Sequence, residues 1–263
     1  MKYLDLTLPT PEENLAGDEA LLDSCEEGYD HEVLRVWEST GPFVVLGYSN
    51  KAQTEANLDA ARRADLPVLR RCTGGGAVVQ GPGCLNFSLI LRIPQVGPLT
   101  SIRGTTAHIM NRHQDALAAL LRTEGGGRRA EGQTSSLISH PSSLPSAVTV
   151  RGHSDLTLAD LKFSGNAQRR RRRFLLFHGT FLLDADIELI ERVLPMPSRQ
   201  PDYRRGRRHR EFLTNFSGAS VRRIKETLRA TWGAHEPLDE FPSSRTAALV
   251  AKRYAAGEWT FKF

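Results

Sequence analysis

Two short segments hold residue types able to bind and activate an anionic substrate. The first, Arg70-Arg71-Cys72-Thr73-Gly74-Gly75-Gly76-Ala77, closes a strand-like run. Three consecutive glycines let the backbone take conformations closed to other residues and bring its amides close to a ligand. The arginine pair supplies charge for a phosphate or carboxylate. With no Gly-Lys-Ser/Thr and no helix directly after it, the segment matches neither a nucleoside-triphosphate loop nor a dinucleotide fingerprint. Glycine triplets also make plain flexible turns, and composition does not separate the two readings.

The second segment is Lys162-Phe163-Ser164-Gly165-Asn166-Ala167. The chain has 29 Arg and only 6 Lys, and Lys162 is the sole lysine between Lys51 and Lys225. A lysine kept among so many arginines suits a task for a compact ammonium rather than a planar fork. In a strand Lys162 and Ser164 share one face and Phe163 takes the other, so one side could be a polar site and the other core. An edge-strand lysine that blunts aggregation is the plainer alternative. His178-Gly179-Thr180 lies inside the apolar run Phe174 to Leu183, where a histidine is commonly a satisfied core residue, and Asp155 follows Ser154 at a strand start. The three cysteines, Cys25, Cys72 and Cys84, fit no metal spacing and cannot all pair.

These segments need a scaffold. Met1 to Leu8 alternates as a strand, and Asn14 to Cys25 has the apolar spacing of an amphipathic helix. Glu32 to Trp37 and Phe43 to Tyr48 read as strands around a Gly41-Pro42 turn. A short helix near Leu58 to Ala64 precedes strands at Pro67 to Arg71 and Leu85 to Leu91, and Thr105 to Arg122 has the period of a helix with one buried face. Glu124 to Ser146 has no hydrophobic period and is rich in Gly, Ser and Pro, so 124–147 is expected to be a mobile loop within a single domain spanning 1–263. Val148 to Val150, Asp155 to Leu158, Lys162 to Ala167 and Phe174 to Leu183 read as further strands, with helices from Ile187 onward. Hairpins flanked by helices predict an α+β fold with mixed or antiparallel sheets.

Charge is unevenly spread. The chain carries 35 basic and 30 acidic residues, and ten of the basic ones sit in Arg169 to Arg173 and Arg204 to Arg210. Setting those ten aside leaves 25 basic against 30 acidic side chains, so the body of the protein is mildly acidic. No aromatic interleaving accompanies the arginines, which argues against nucleic acid as a partner. No apolar run approaches the ~18 residues of a membrane span and no leader is evident, so no membrane association, a cytoplasmic location and reduced thiols are expected.

Taken together, the segments resemble the lipoate-protein ligase and lipoyl (octanoyl) transferase family, which is related to biotin-protein ligase. The resemblance rests on Arg70 to Ala77, Asn86-Phe87-Ser88, Ser154-Asp155-Leu156, Lys162 to Ala167 and His178-Gly179-Thr180-Phe181-Leu182-Leu183. Asn14-Leu15-Ala16 with Asp18-Glu19 extends it upstream, and Leu213-Thr214-Asn215-Phe216 with Glu258-Trp259-Thr260-Phe261 downstream. It implies one catalytic domain of the biotin/lipoate-protein ligase type, with Lys162 as the catalytic cation. It implies ATP contacts from Arg71, Gly74, Gly75, Gly76, Ala77, Val78 and Val79, with Mg2+ accompanying the ATP. It implies substrate contacts from Arg70, Asn86, Asp155, Ser164, Gly165, Asn166, Ala167, His178, Gly179 and Thr180. Lipoate or octanoate would be activated as an acyl-adenylate, then passed to a lysine of an acidic lipoyl domain of a 2-oxoacid dehydrogenase complex or glycine-cleavage carrier protein.

Two departures qualify the resemblance. Gln80 stands where the family often has histidine, and it can hydrogen bond but not titrate. Cys84 stands where the family often has asparagine. The long ligases also carry an accessory C-terminal domain, so a separate accessory subunit is an expected partner. The alternative activity is an ATP-independent octanoyltransferase that takes its acyl group from acyl carrier protein through a cysteine thioester. Val150-Arg151-Gly152-His153, before the lysine strand, offers no cysteine, which leaves Cys84 as the thiol to consider. The arginine clusters are expected to flank the acyl-transfer face and meet acidic partners.

Overall fold

The computed structural model of the protein describes residues 1–126 and 147–263. Eleven strands are described: β1 (Lys2–Asp5), β2 (Val33–Trp37), β3 (Phe43–Leu46), β4 (Val68–Arg70), β5 (Val78–Gln80), β6 (Cys84–Arg92), β7 (Val148–Arg151), β8 (Asp155–Leu158), β9 (Leu161–Arg170), β10 (Phe174–Leu182) and β11 (Glu236–Pro237). Eight form a large sheet in the order β11-β1-β2-β6-β10-β9-β8-β7, and β4-β3-β5 form a small one. The large sheet is parallel only where β1 meets β2 and β11, and the small one only where β3 meets β4. The fold is therefore α+β with mixed sheets, as the hairpin pattern predicts.

Nine α-helices accompany the strands among the described residues. They are α1 (Pro11–Glu27), α2 (Ala52–Glu55), α3 (Leu58–Arg63), α4 (Ile102–Gly126), α5 (Ile187–Val193), α6 (His209–Phe212), α7 (Val221–Trp232), α8 (Ser243–Leu249) and α9 (Gly257–Thr260). No described helix is long and apolar enough to cross a membrane. The expected mobile loop 124–147 falls outside the described residues except at its ends, where α4 runs on to Gly126.

Strand alternation builds the core. In β6, Leu85, Phe87, Leu89 and Leu91 join Phe177 and Phe181 of β10 under α4 and α7, while Ile90 joins Leu176 beneath α1 on the other face. Phe163, Phe177 and Phe181 are fully buried there, and truncating one such ring to alanine costs about 3–5 kcal/mol. Helix α1 starts at Pro11 behind a Thr10–Glu13 capping box, earlier than its apolar spacing suggests. Every residue from Asn14 to Leu22 is buried. An amphipathic stripe gives way to burial all round because the helix lies between the large sheet and α8. Its polar residues Asn14, Asp18 and Glu19 must consequently find partners inside the protein.

The Lys162 strand departs from simple alternation. Leu156 pairs with Ser164 but Thr157 pairs with Lys162, so one extra residue is accommodated between β8 and β9. A bulge of this kind reverses the faces of the residues beyond it. A Cβ on Gly165 would lie 2.8 Å from Lys162 Nζ, whereas Asn166 Nδ2 reaches Ser164 Oγ at 3.4 Å. Lys162 thus shares its face with Gly165, and the expected pairing with Ser164 is corrected. Ser164 is 1% exposed, and its hydroxyl sits with the Asn166 side chain rather than with the lysine.

Candidate active site

The site lies where the glycine loop between β4 and β5 faces β9 and β10. Arg71 shapes that loop: its Nε donates to Thr73 Oγ1 at 3.0 Å and to Gly74 O, and its Nη2 donates to Gly74 O at 2.6 Å and Gly76 O at 2.9 Å. Gly75 has a φ of +91°, and a Cβ there would stand 2.8 Å from Arg71 Nη2. A Cβ on Gly47 would fall 2.0 Å from Gly75 O, so this second glycine lets the loop approach β3. No amide of Gly74, Gly75 or Gly76 donates to a described acceptor, leaving donors of the kind that cradle anions. Burial pushes the Arg71 guanidinium down to about 10, so it stays charged at neutral pH.

A buried polar chain ties this loop to α1. Arg35, fully buried, donates to Asp18 Oδ1 at 2.7 Å and to the Asn14 carbonyl and side chain at 2.8 Å. Asp18 Oδ2 is 3.3 Å from His178 Nδ1, and His178 Nε2 is 2.7 Å from Thr73 Oγ1. Burial works against the Asp18 carboxylate, but Arg35 and then His178 outweigh it and hold its pKa below the usual range. A parallel chain runs from Gln80 Nε2 through Thr180 Oγ1, at 3.3 Å, to Asn86 Oδ1, at 2.6 Å. Gln80 therefore serves as a hydrogen-bonding wall where the family's histidine stands, and its Oε1 is left without a described partner.

Two cavities meet at Lys162. The smaller, about 190 Å³, is lined by Leu15, Asp18, Trp37, Phe87 and His178 together with the glycine loop. The larger, about 730 Å³, is lined by Val79, Ser164, Leu182, Tyr203, Arg204 and His209, among others. Gly76, Ala77, Val78, Ser154, Asp155, Lys162, Gly165 and Thr180 border both. At the junction Lys162 Nζ is 2.8 Å from Asp155 Oδ1. Tyr203 donates to Asp155 Oδ2, also at 2.8 Å, and burial followed by the Asp155 charge raises the tyrosine's pKa.

Most of the residues expected from sequence assemble here. Arg71, Gly75, Gly76, Ala77, Val78, Asn86, Asp155, Lys162, Gly165, Asn166, Ala167, His178, Gly179 and Thr180 border the smaller cavity, and Val79 and Ser164 the larger. Asn166 also has a packing duty, donating to Ser154 O at 2.8 Å and filling the space that a Cβ on Gly179 would need. Gly74 borders neither cavity and accepts from Arg71.

Arg70 is placed elsewhere. It is fully buried and donates to the carbonyls of Gly47, Tyr48, Asn50, Trp259 and Thr260, bracing the backbone opposite the loop. Because neighbouring strand residues point to opposite faces, only one arginine of the pair can face the site. Trp37 and Tyr203 border the site, and Gly47 the loop, without a sequence signal of their own. Asp18 is among the residues carrying the resemblance but is given no site role there.

All three cysteines are buried and none borders either cavity. Cys84 packs with Leu182, Ala185 and Leu213, and burial pushes its thiol up to about 12. No group of three His, Cys, Asp or Glu that could hold a metal occurs among the described residues. Asp155 is the carboxylate in contact with Lys162.

The fold and the site together define an enzyme of the lipoate-protein ligase and octanoyltransferase class. More narrowly, the chain belongs to the lipoyl protein ligase A/B catalytic domain family, whose pattern matches residues 10–228. It is 30% identical to octanoyltransferase LipM of Carboxydothermus hydrogenoformans over 279 aligned residues, covering all of this chain and 98% of that enzyme. It is 28% identical to lipoate-protein ligase A subunit 1 of Thermoplasma acidophilum, covering 94% of this chain and 90% of the subunit. Among solved structures it is similar to a lipoate-protein ligase A bound with ATP, with TM-score 0.73, 25% identity and coverage of 99% and 98%. A chain from a structural study of a bipartite lipoate protein ligase and its E2 lipoyl domain from Thermoplasma acidophilum gives TM-score 0.72 at 25% identity, covering 99% of this chain and 95% of that one.

Proposed function

We propose that the protein is an ATP-dependent lipoate-protein ligase that activates lipoate or octanoate and passes it to a lysine of a lipoyl domain. The observation that carries this reading is the position of Lys162 at the junction of two cavities, with the chain's thiols buried elsewhere. An acyl carboxylate in the smaller cavity would attack the α-phosphate of ATP lying in the larger one. The new bond joins carboxylate oxygen to phosphorus, and the bond from that phosphorus to pyrophosphate breaks. Lys162 offers positive charge where negative charge accumulates, and the free amide of Gly76, which borders both cavities, offers a donor to the phosphates. The acceptor's amine then attacks the acyl carbon and AMP leaves. Magnesium, when bound with ATP, shields the phosphate charge.

A separate accessory polypeptide and an acidic lipoyl domain are the partners this reading calls for; the bipartite relative supports an accessory subunit and a lipoyl domain, and the acidity of that domain is this reading's own expectation. Pyrophosphate exchange that needs lipoate or octanoate and drops at least a hundredfold in Lys162→Ala is the expected result. Exchange indifferent to that substitution would overturn the role of Lys162.

The resemblance to octanoyltransferase LipM favours a second reading, octanoyl transfer; in this chain we would assign it to acyl carrier protein as donor and Cys84 as the thiol. Burial opposes it: Cys84 borders neither cavity, and desolvation raises its thiol well above the usual range, which disfavours the thiolate that a thioester requires. Incubation with octanoyl carrier protein is expected to leave no acyl adduct by mass spectrometry, and Cys84→Ser is expected to retain full lipoylation. An adduct that disappears in Cys84→Ser would reverse the choice.

A further inference from the structure

The Tyr203 hydroxyl reaches the centre of the site from a segment without sequence prominence. Its ring packs on Phe212, with centroids 5.2 Å apart, and lies beside Gly152, whose added Cβ would sit 3.6 Å from the ring edge. Held there, the hydroxyl donates to Asp155 Oδ2 while Lys162 Nζ takes Oδ1, each at 2.8 Å. Both oxygens of one buried carboxylate are thus engaged, one by a neutral donor and one by a cation. Lys162 has no other described acceptor, so two of its three N–H bonds remain for a ligand.

We propose that Tyr203 is a positioning residue that acts through Asp155 to keep the Lys162 ammonium available to substrate; the proposal rests on the role given to Lys162 above. An aspartate beside a lysine is free to turn and hold the ammonium with both oxygens, since charge-assisted hydrogen bonds are the strong ones. Tyr203 prevents this by occupying Oδ2 and fixing the carboxylate plane. A single contact orients the lysine without sequestering it. Because Tyr203 belongs to the wall of the larger cavity, the position of that wall is transmitted to the lysine.

Tyr203→Phe removes one oxygen and keeps the ring on Phe212. Pyrophosphate exchange is expected to lose about tenfold in kcat, as expected for a displaced catalytic group, with the KM for ATP and acid within twofold. The double variant Tyr203→Phe, Asp155→Asn should be no slower than Asp155→Asn alone. Losses that multiply, or an unchanged kcat in Tyr203→Phe, would overturn the proposal. A readout independent of the reaction is the ¹³C signal of the lysine ε-methylenes in the intact protein. With only 6 lysines, Lys162 is assignable through Lys162→Arg. Tyr203→Phe should move that signal alone, and a stationary signal would overturn the proposal. A moving signal in a protein that performs no exchange would leave the coupling standing and remove the ligase reading instead.

Discussion

At the residue scale, Lys162 depends on what its neighbours lack. Gly165 faces it across the β9 bulge, and a methyl there would meet Nζ at 2.8 Å and Cε at 2.9 Å. The obstructed atoms are the end of a flexible side chain, so relief is cheap in stability but displaces the ammonium. Gly165→Ala is expected to lower kcat for adenylation by about a hundredfold, since ~1 Å misplacements have that effect. Its melting temperature should stay within a few degrees of the wild type. A large loss of stability with intact kcat in the folded fraction would show that the glycine serves the backbone instead. Legibility at this scale was uneven for a physical reason. Lys162 stood out by its rarity, Asp155 and His178 only through the family resemblance, whereas Arg70 and Arg71 are chemically identical and differ only in the side to which each points at the end of β4.

At the element scale, periodicity located helices and strands but not their environments. The spacing of α4 implies one buried face, and His113 falls on it, fully buried, with Trp232 of α7 donating to its Nε2 at 2.9 Å. Burial, then the Arg112 charge, pushes this imidazole down to about 3. In the unfolded chain it titrates near 6.5, so below that pH the unfolded state binds the extra proton. The corresponding stability is fully present above pH 6.5 and is lost as pH falls toward 3, by at most about 1.4 kcal/mol per unit. His113→Gln retains an acceptor for Trp232 and should flatten the dependence of unfolding free energy on pH between 7 and 5. An unchanged slope would assign the pH dependence to other groups. The β9 bulge teaches the same lesson: a strand's existence follows from its residues, but the face each residue takes depends on its register with β8.

At the scale of the whole molecule, the arginine clusters change meaning. Glu19 of α1 is fully buried and is met by Arg253 and by Tyr254, whose hydroxyl donates at 2.7 Å, with Arg169 and Arg171 within 4 Å. Arg171 also pairs with Asp23 at 2.6 Å, Arg173 with Asp30 at 2.6 Å, and Arg170 donates to Thr105 and to the Leu99 carbonyl. In the first cluster Arg169, Arg171 and Arg173 meet acidic residues of α1 and of the turn after it, while Arg170 bonds neutral acceptors around the start of α4, so most of this cluster is already engaged within the chain. In the second cluster Arg204 and Arg207 stack on Phe212, and Arg210 pairs with Glu188. Arg171→Glu is accordingly expected to cost about 1–2 kcal/mol, a lowering of roughly 2–8 °C in melting temperature. Arg172, whose side chain has no described partner, is the position of that cluster at which charge reversal tests docking with unchanged stability. If Arg171→Glu left stability untouched and raised only the KM for the lipoyl domain, the docking role would return.

By itself the sequence determined the fold class, the order of the motifs and the presence of only three cysteines, and its motifs carried the resemblance to the family. The first three follow from residue type and local spacing, which no later folding step alters. Only the tertiary structure decided which arginine faces the loop, that Gly165 rather than Ser164 accompanies Lys162, that Tyr203 reaches Asp155, and that Glu19 absorbs the basic cluster. Those facts depend on contacts between residues 19 and 171, or 155 and 203, far apart in the chain. Strand register and burial set such contacts, and neither is written in any short window of sequence.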